Sequence, residues 1–564
     1  MFQVGFNRLT GLPAALGDLD ALEALNAEAN QLTSLPAEIG RLRRLKTLRL
    51  GGNRLPELPP EIGDLTSLET LRISNNQLTS LPPAIGRLRN LKLLNLDTNR
   101  LKGLPAEIGN LGSLEELRLD TNRLASLPPE FGKLQALRIL GLKLNHLTSL
   151  PPEIGGLRSL ETFDLRFNDV TELPGPFGRL QALRRFCINA NGLASLPAEF
   201  GDLGALVELD LSDNALQALP SAFGRLGALA TLDARNNQLT AVPPEFGGLS
   251  ALTTLNLNVN QLSTVPLEIG GLAALRELSL QTNQLSDVPE GVLRLRSLKT
   301  LHVNGNQLSK VPPAIAELGA LEELALNDNH LTSIPPEIGR LSALRILLLG
   351  GNTLEALPVE IGGLGSLRHL DLASNHLTAL PAEIGGLVRL DKLFLSSNRL
   401  PAIPEEISRL GALRVLNLER NQLETLPAGI GDLGALLEFH ADFNALRALP
   451  PEIGRLRSLQ SLTLHSNRIS ALPPEIGDLA SLDFLILSSN QLTALPPEMG
   501  NLSALTFLDV GDNHLSALPA QLGRLARLEE LLLDDNPLVV PPPDVVAQGT
   551  AAVLEFLRQP GRPR

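Results

Sequence analysis

The stretch Leu45–Ser67 reads LKTLRLGGNRLPELPPEIGDLTS. Its opening Leu-x-x-Leu-x-Leu alternates apolar and other residues with period two, the pattern of a short strand with one buried face. Asn53 stands where that run stops. Asn tolerates turn geometry, and its amide can bond backbone groups that a turn leaves unpaired. The second half, LPPEIGDL, sets Pro where a helix would begin and Glu61 in its first turn, both helix-start signals. Gly63 follows at once, so the turn is expected to end there after a few residues.

This unit recurs along the whole chain. Asn occurs at 7, 30, 53 and every 23 residues up to 536, which is 24 times with no insertion. Six residues after each Asn there is a Pro, from Pro13 to Pro542, and Gly holds the Gly63 position in 20 of 23 complete units. One such unit cannot bury its apolar side alone, but stacking buries the Leu, Ile and Phe positions against the coils above and below. Parallel strands then line one face and narrow returns the other, so the stack is expected to curve, with the Asn side chains forming a ladder.

The recurring L-x-x-L-x-L-x-x-N-x-L resembles the leucine-rich repeat family. The longer LPxEIGxLxxLxxL looks like the 23-residue subclass of plant intracellular Ras-group-related and Roco-type repeat proteins. The resemblance spans about residues 2–558 and implies an α/β leucine-rich repeat solenoid. In that fold a parallel β-sheet lies on the concave face, and short helical or 3₁₀ returns lie on the convex face. The expected organisation is an array over 1–536 of about 24 coils, the first incomplete, then a C-terminal helical cap over 537–559 and a disordered tail over 560–564. Met1 enters the first coil in mid-strand, which predicts fraying or self-association there and leaves a missing upstream segment open. At the other end NPL and three Pro replace the usual unit. Thr550 is placed to cap a helix whose apolar face is Val553, Phe556 and Leu557, with Val546 before it.

Composition narrows the function classes. The 564 residues carry a formal charge of −13, with no Trp, no Tyr and one Cys. An acidic chain is a poor ligand for phosphate backbones, so no nucleic acid is expected. One cysteine excludes an internal disulfide framework and points to a cytoplasmic protein. No secretory signal is visible, and no run of about 20 apolar residues would span a membrane. Phosphate-loop, His-Glu-x-x-His, Cys-x-x-Cys and Gly-x-Ser-x-Gly motifs are all missing, so no enzyme and no cofactor is expected.

Specific information must then sit at the variable positions. Those six, four, two and one before each Asn, and one after it, should face the concave side. An N-terminal zone places Arg49, Arg72 and Arg118 four before the Asn, with Asp97, Asp120 and Glu116 nearby. It is read either as a grip on an acidic partner or as a self-satisfied ladder. Ile139, Leu144 and Phe167 follow as apolar concave residues. A C-terminal zone places Phe443, Phe484, Ile486 and Phe507 at concave positions of nearby coils, a cluster of the kind that marks an interaction surface. The alternative is that these side chains cover one another. Of the eight His, only His440 and His465, with Asp442, could converge as metal ligands, and the reading preferred is that they merely occupy variable positions, so no metal site is expected. Cys187 is read as incidental. On the opposite face Asp18, Arg41, Asp64 and Arg87 should pair coil on coil, and the Glu61 lane should be held by the turn N-termini.

The function expected from these features is a non-enzymatic protein-interaction scaffold that binds its partner in the concave face. The alternative is the recognition arm of a larger Roco-like GTPase system. The family resemblance makes a small GTPase a possible partner, and the oligomeric state is left open.

Overall fold

The alternating run of each unit forms a strand of three residues, and its apolar centre goes inward. In Thr47–Arg49, Leu48 is fully buried while Thr47 and Arg49 are only partly covered. The computed structural model describes residues 1–559, so the expected tail at 560–564 lies outside the described residues. The described residues contain 24 parallel strands, with a 3₁₀ turn after each of the first 23.

The chain divides into two units. One comprises Met1–Gln284 with Pro289–Leu295, and the other comprises Leu285–Val288 and the chain from Arg296 onward. The first holds the strands from Phe2–Gln3 to Glu277–Ser279, the second those from Thr300–His302 to Glu530–Leu532. Within each unit, neighbouring strands pair at an offset of 23 residues. Thr47 stands opposite Thr70 in the first, and Phe484 opposite Phe507 in the second.

The core is a column of aliphatic side chains repeated by the period. In the Asn53 coil, Leu45, Leu48, Leu50, Leu55, Ile62 and Leu65 are fully buried. Each contributes on the order of 2 kcal/mol by leaving water. In the first unit Phe replaces the Ile of EIG in consecutive coils, and the rings stack. Phe177, Phe200, Phe223 and Phe246 follow one another at 6.0, 6.1 and 5.2 Å between centroids, within 9° of parallel.

The ladder Asn works through backbone rather than through its own kind. The Asn53 Oδ1 accepts from the Leu32 N–H at 3.0 Å, and its Nδ2 donates to the carbonyls of Ala27 at 3.0 Å and Leu50 at 2.9 Å. The same bonds recur at Asn145 and Asn513. One side chain thus closes its own turn and pins it to the preceding coil, which explains why the Asn is buried (8% exposed at Asn53).

Three expectations are corrected. The left-handed backbone of the turn belongs to the residue before each Asn, not to the Asn: φ is positive there in every coil, from Phe6 (58°) to Asp535 (54°). The Gly of EIG lies inside the five-residue turn Pro60–Asp64 and does not end it. Its bare Cα instead makes room for the next coil, since a Cβ on Gly63 would stand 2.3 Å from the Ala84 carbonyl oxygen. The repeat turns' N-termini are not capped by side chains of their own coil; at Gly429 the N–H donates instead to Glu405 of the preceding coil at 3.1 Å. By contrast, the outward charge lane does pair, with Arg41 Nη1 3.4 Å from Asp18 and Arg87 Nη1 3.3 Å from Asp64.

After the last strand come the helices Pro543–Val546 and Thr550–Arg558. Val553, Leu554 and Leu557 are buried, and Arg558 Nε donates to the Gly523 carbonyl. Thr550 is the first helical residue rather than the cap. Its hydroxyl accepts from the Leu531 N–H at 3.0 Å and so satisfies an open amide of the final strand. Leu554, which was not assigned to the apolar face, is inside, while Val546 and Phe556 are only partly covered.

Candidate functional site

The open face of the sheet carries whatever the repeat does not prescribe. The residues six and four before each Asn point outward on the strands, and those two and one before it lie in the turn just beyond.

The arginine zone divides. Arg49 and Arg72 stand opposite each other on adjacent strands, and Asn95 separates Arg72 from Arg118. Arg118 is bound to Glu116 on its own strand. Among the described residues neither Arg49 nor Arg72 makes an ion pair, and the Nε of Arg49 is buried without a partner. The zone therefore combines both readings, one arginine already satisfied and two free.

Asp97 and Asp120 are occupied by backbone. Asp97 Oδ1 accepts from the Asp120 N–H, and Asp120 Oδ1 from the Lys143 N–H, both at 2.8 Å. Burial pushes both carboxyls up, Asp120 to about 6. Gly141 lies against Asp120, and a Cβ there would reach its Oδ1 at 2.8 Å. Further along, Ile139, Leu144 and Phe167 are exposed, and the Lys143 ammonium sits 5.5 Å above the Phe167 ring.

The C-terminal zone is two clusters rather than one. Phe484 and Phe507 stack with centroids 4.5 Å apart and planes 15° apart, each half-buried. They partly cover one another and leave their outer faces open. Ile486 lies on the same strand as Phe484, between Thr463 and Asp509, and Asp509 separates it from Leu532. Phe443 belongs to a different group, two coils before the Phe484 strand. It is 43% exposed, carries the Arg420 guanidinium 4.4 Å over its ring, and meets the His465 ring edge-on at 5.1 Å.

Beneath Phe443 lies a polar network. Thr463 Oγ1 donates to Asp442 Oδ2, the His465 N–H donates to Asp442 Oδ1, and His440 Nδ1 lies 3.0 Å from Thr463 Oγ1. His465 is turned away, its Nδ1 3.0 Å from Ser488 Oγ. His440, Asp442 and His465 do not converge as a trio: the third group near His440 and Asp442 is Glu419, because backbone and Ser488 contacts hold His465 elsewhere. Glu419 and Arg420 went unread in the sequence. The signal was there in the position two before the Asn, which reads Glu419, Asp442, His465, Ser488 down successive coils.

Cys187 is half-buried between Asp164 and Asp210 in register, and burial pushes its thiol up in spite of the neighbouring Arg185. It is a poor thiolate.

Fold and face together define a class: repeat solenoids of parallel strands whose variable residues lie on an open sheet. Profiles described as leucine-rich repeat region match residues 44–128, 128–213 and 452–537, and those described as leucine rich repeat match six overlapping segments within 229–423. The chain belongs to the leucine-rich repeat family. It is similar to a leucine-rich repeat protein of Leptospira interrogans, 36% identical over 71% of this chain and 90% of that one, with a TM-score of 0.58. It is also similar to the plant peptide hormone receptor RGFR1 in complex with RGF2, 32% identical over 94% of this chain and 92% of that one, TM-score 0.69. A third similar structure is YopM from Yersinia enterocolitica, 27% identical over 91% of this chain and 92% of that one, TM-score 0.56. No curated protein matches the chain. Among the described residues no helix is long and apolar enough to cross a membrane.

Proposed function

We propose that the chain is a non-catalytic protein-interaction scaffold that receives a protein or peptide partner on the open face of its sheet. The observation that carries this reading is the stacked pair Phe484–Phe507 with Ile486 beside it, apolar groups held partly in water on a face where the repeat asks for none. Aromatic anchors with open faces are the usual centres of binding energy. Arg49 and Arg72, cations without partners, form a second contact that suits an acidic surface. The complex of RGFR1 with RGF2 supports the reading by analogy with a similar solenoid.

The finer assignments belong to the same proposal. A cytoplasmic signalling role, with a small GTPase as the first partner to test, follows from the subclass that the 23-residue consensus resembles. Binding should be measured on the full chain against nucleotide-loaded small GTPases, and by affinity capture from the source cells. A Phe484→Asp/Phe507→Asp double variant and an Arg49→Glu/Arg72→Glu double variant are the comparisons. The reading expects a partner held by the wild type and lost by at least one variant. Recovery of the same partners by all three proteins sinks it.

A further inference from the structure

We propose that Glu419, His440 and Asp442 form a binding site for one divalent transition-metal ion of the zinc class. One ligand atom from each residue lies within 4.8 Å of the other two. The three come from two adjacent coils: Glu419 and Asp442 both lie two before their ladder Asn, and His440 lies two before Asp442. An imidazole with two carboxylates is a mixed nitrogen and oxygen set, which favours zinc over the oxygen-seeking calcium and magnesium. Zinc holds such donors at about 2.0–2.1 Å, hence roughly 3.4 Å apart in a tetrahedron. Closing from the observed spacing takes about an ångström of side-chain movement, available to Glu419 and His440, which are only half-buried.

The surroundings are arranged as a supporting shell. Asp442 is 9% exposed and is oriented by the Thr463 hydroxyl and the His465 N–H, one to each oxygen. Since Thr463 donates to Asp442, it accepts from His440, whose Nδ1 then carries the proton. The Nε2 keeps the lone pair that a metal needs, as outer hydrogen bonds to metal-bound imidazoles generally ensure. Glu438 Oε2 lies 3.7 Å from Nε2 and adds negative charge on that side. The nearest cation in sequence, Arg420, is drawn over the Phe443 ring. Three protein ligands would leave a fourth coordination position, as in sites that accept a further ligand. The inference stands apart from the partner reading, since the metal alone tests it.

The test is titration of the full chain, stripped with a chelator, by calorimetry with Zn²⁺ as the sole ligand. One equivalent is expected, weakened at least tenfold in each of Glu419→Gln, His440→Ala and Asp442→Asn. Thr463→Val should weaken it about tenfold by freeing the two ligands it orients. His302→Ala, at a His–Glu pair elsewhere on the sheet (His302 Nε2 to Glu323, 3.0 Å), should change nothing. Co²⁺ should give the d–d absorption of a four-coordinate site in the wild type and lose it in His440→Ala. Circular dichroism checks each fold, and Glu419→Gln remains decisive if Asp442→Asn does not fold, because among the described residues the Glu419 carboxylate accepts no hydrogen bond and only its backbone N–H is engaged. Saturable binding that survives these ligand substitutions, or no stoichiometric binding at all, overturns the proposal.

Discussion

Each coil concentrates its demands on two neighbouring residues. The ladder Asn carries four hydrogen bonds, one accepted and three donated, and the residue before it carries the left-handed backbone. Asn145→Ala strips the Leu124 N–H and the carbonyls of Leu119 and Leu142 of a buried partner. At about 1–3 kcal/mol for a group left unsatisfied, the local loss should reach about 3 kcal/mol, read as faster amide exchange at Leu124 and its neighbours. Preserved exchange there would show that water replaces the amide without cost. The preceding position offers the opposite effect. Val259 is β-branched at φ 53° and 41% exposed, so it bears the steric cost of the left-handed region with little packing in return. Val259→Asn, the residue used at 75 and 236, should stabilise the coil by about 0.5–1 kcal/mol in urea unfolding. Asp120 ties stability to pH. Its folded pKa, about 6, is raised from 3.8, so its contribution is present at low pH and is lost as pH rises through about 6. Protection of the amides around Asn122, corrected for intrinsic exchange, should fall across that window in the wild type and stay level in Asp120→Asn.

At the scale of the turn, the repeat depends on where a Cβ fits. A methyl on Gly132 would stand 2.1 Å from the Glu153 carbonyl oxygen of the next coil, whereas one on Gly204 meets nothing within 4 Å. Gly132→Ala should therefore cost about 2–3 kcal/mol by forcing two coils apart. Gly204→Ala should be neutral or stabilise by about 0.5 kcal/mol through the unfolded chain. Equal effects in thermal unfolding would mean that backbone flexibility, and not coil spacing, is what the glycine provides. Three coils lack that Gly: those with Ala316 and Ser408 keep five-residue turns, and the Asn283 coil, with a larger side chain, does not. It carries Leu293 at the Gly position, its 3₁₀ turn shrinks to Val292–Arg294, and Gly291 stands two residues earlier in its stead. Its own Cβ would meet the Leu267 carbonyl at 2.7 Å.

Within each unit, contacts run between neighbouring coils, so its stability is close to a sum of coil and interface terms. The C-terminal helices belong to that scheme, with Val553, Leu554 and Leu557 buried and Arg558 on Gly523. A chain stopped after Asn536 should lose exchange protection around Leu508 and Leu531 while amides of the Phe177–Phe246 region stay protected. A uniform loss would instead mean that the array unfolds as one cooperative body.

The 23-residue period determined the fold unaided, because a repeated apolar unit has one way to bury itself: against its own copies. Strands, returns, the core column and the paired charges of Asp18, Arg41, Asp64 and Arg87 were all legible for that reason. The sequence could not say which atoms the Asn would bond, which residue would take the left-handed backbone, or that Gly63 gives clearance rather than an ending. Those depend on how closely coils approach, a distance that no single unit encodes. The face was legible only as a set of outward positions. Stacking alone decided that Phe484 meets Phe507, that Phe443 goes instead with Arg420 and His465, and that Glu419 rather than His465 joins His440 and Asp442. Residues 23 apart in the chain become neighbours only across a strand pair, and the rotamers that close or open those contacts are set by the coil on either side.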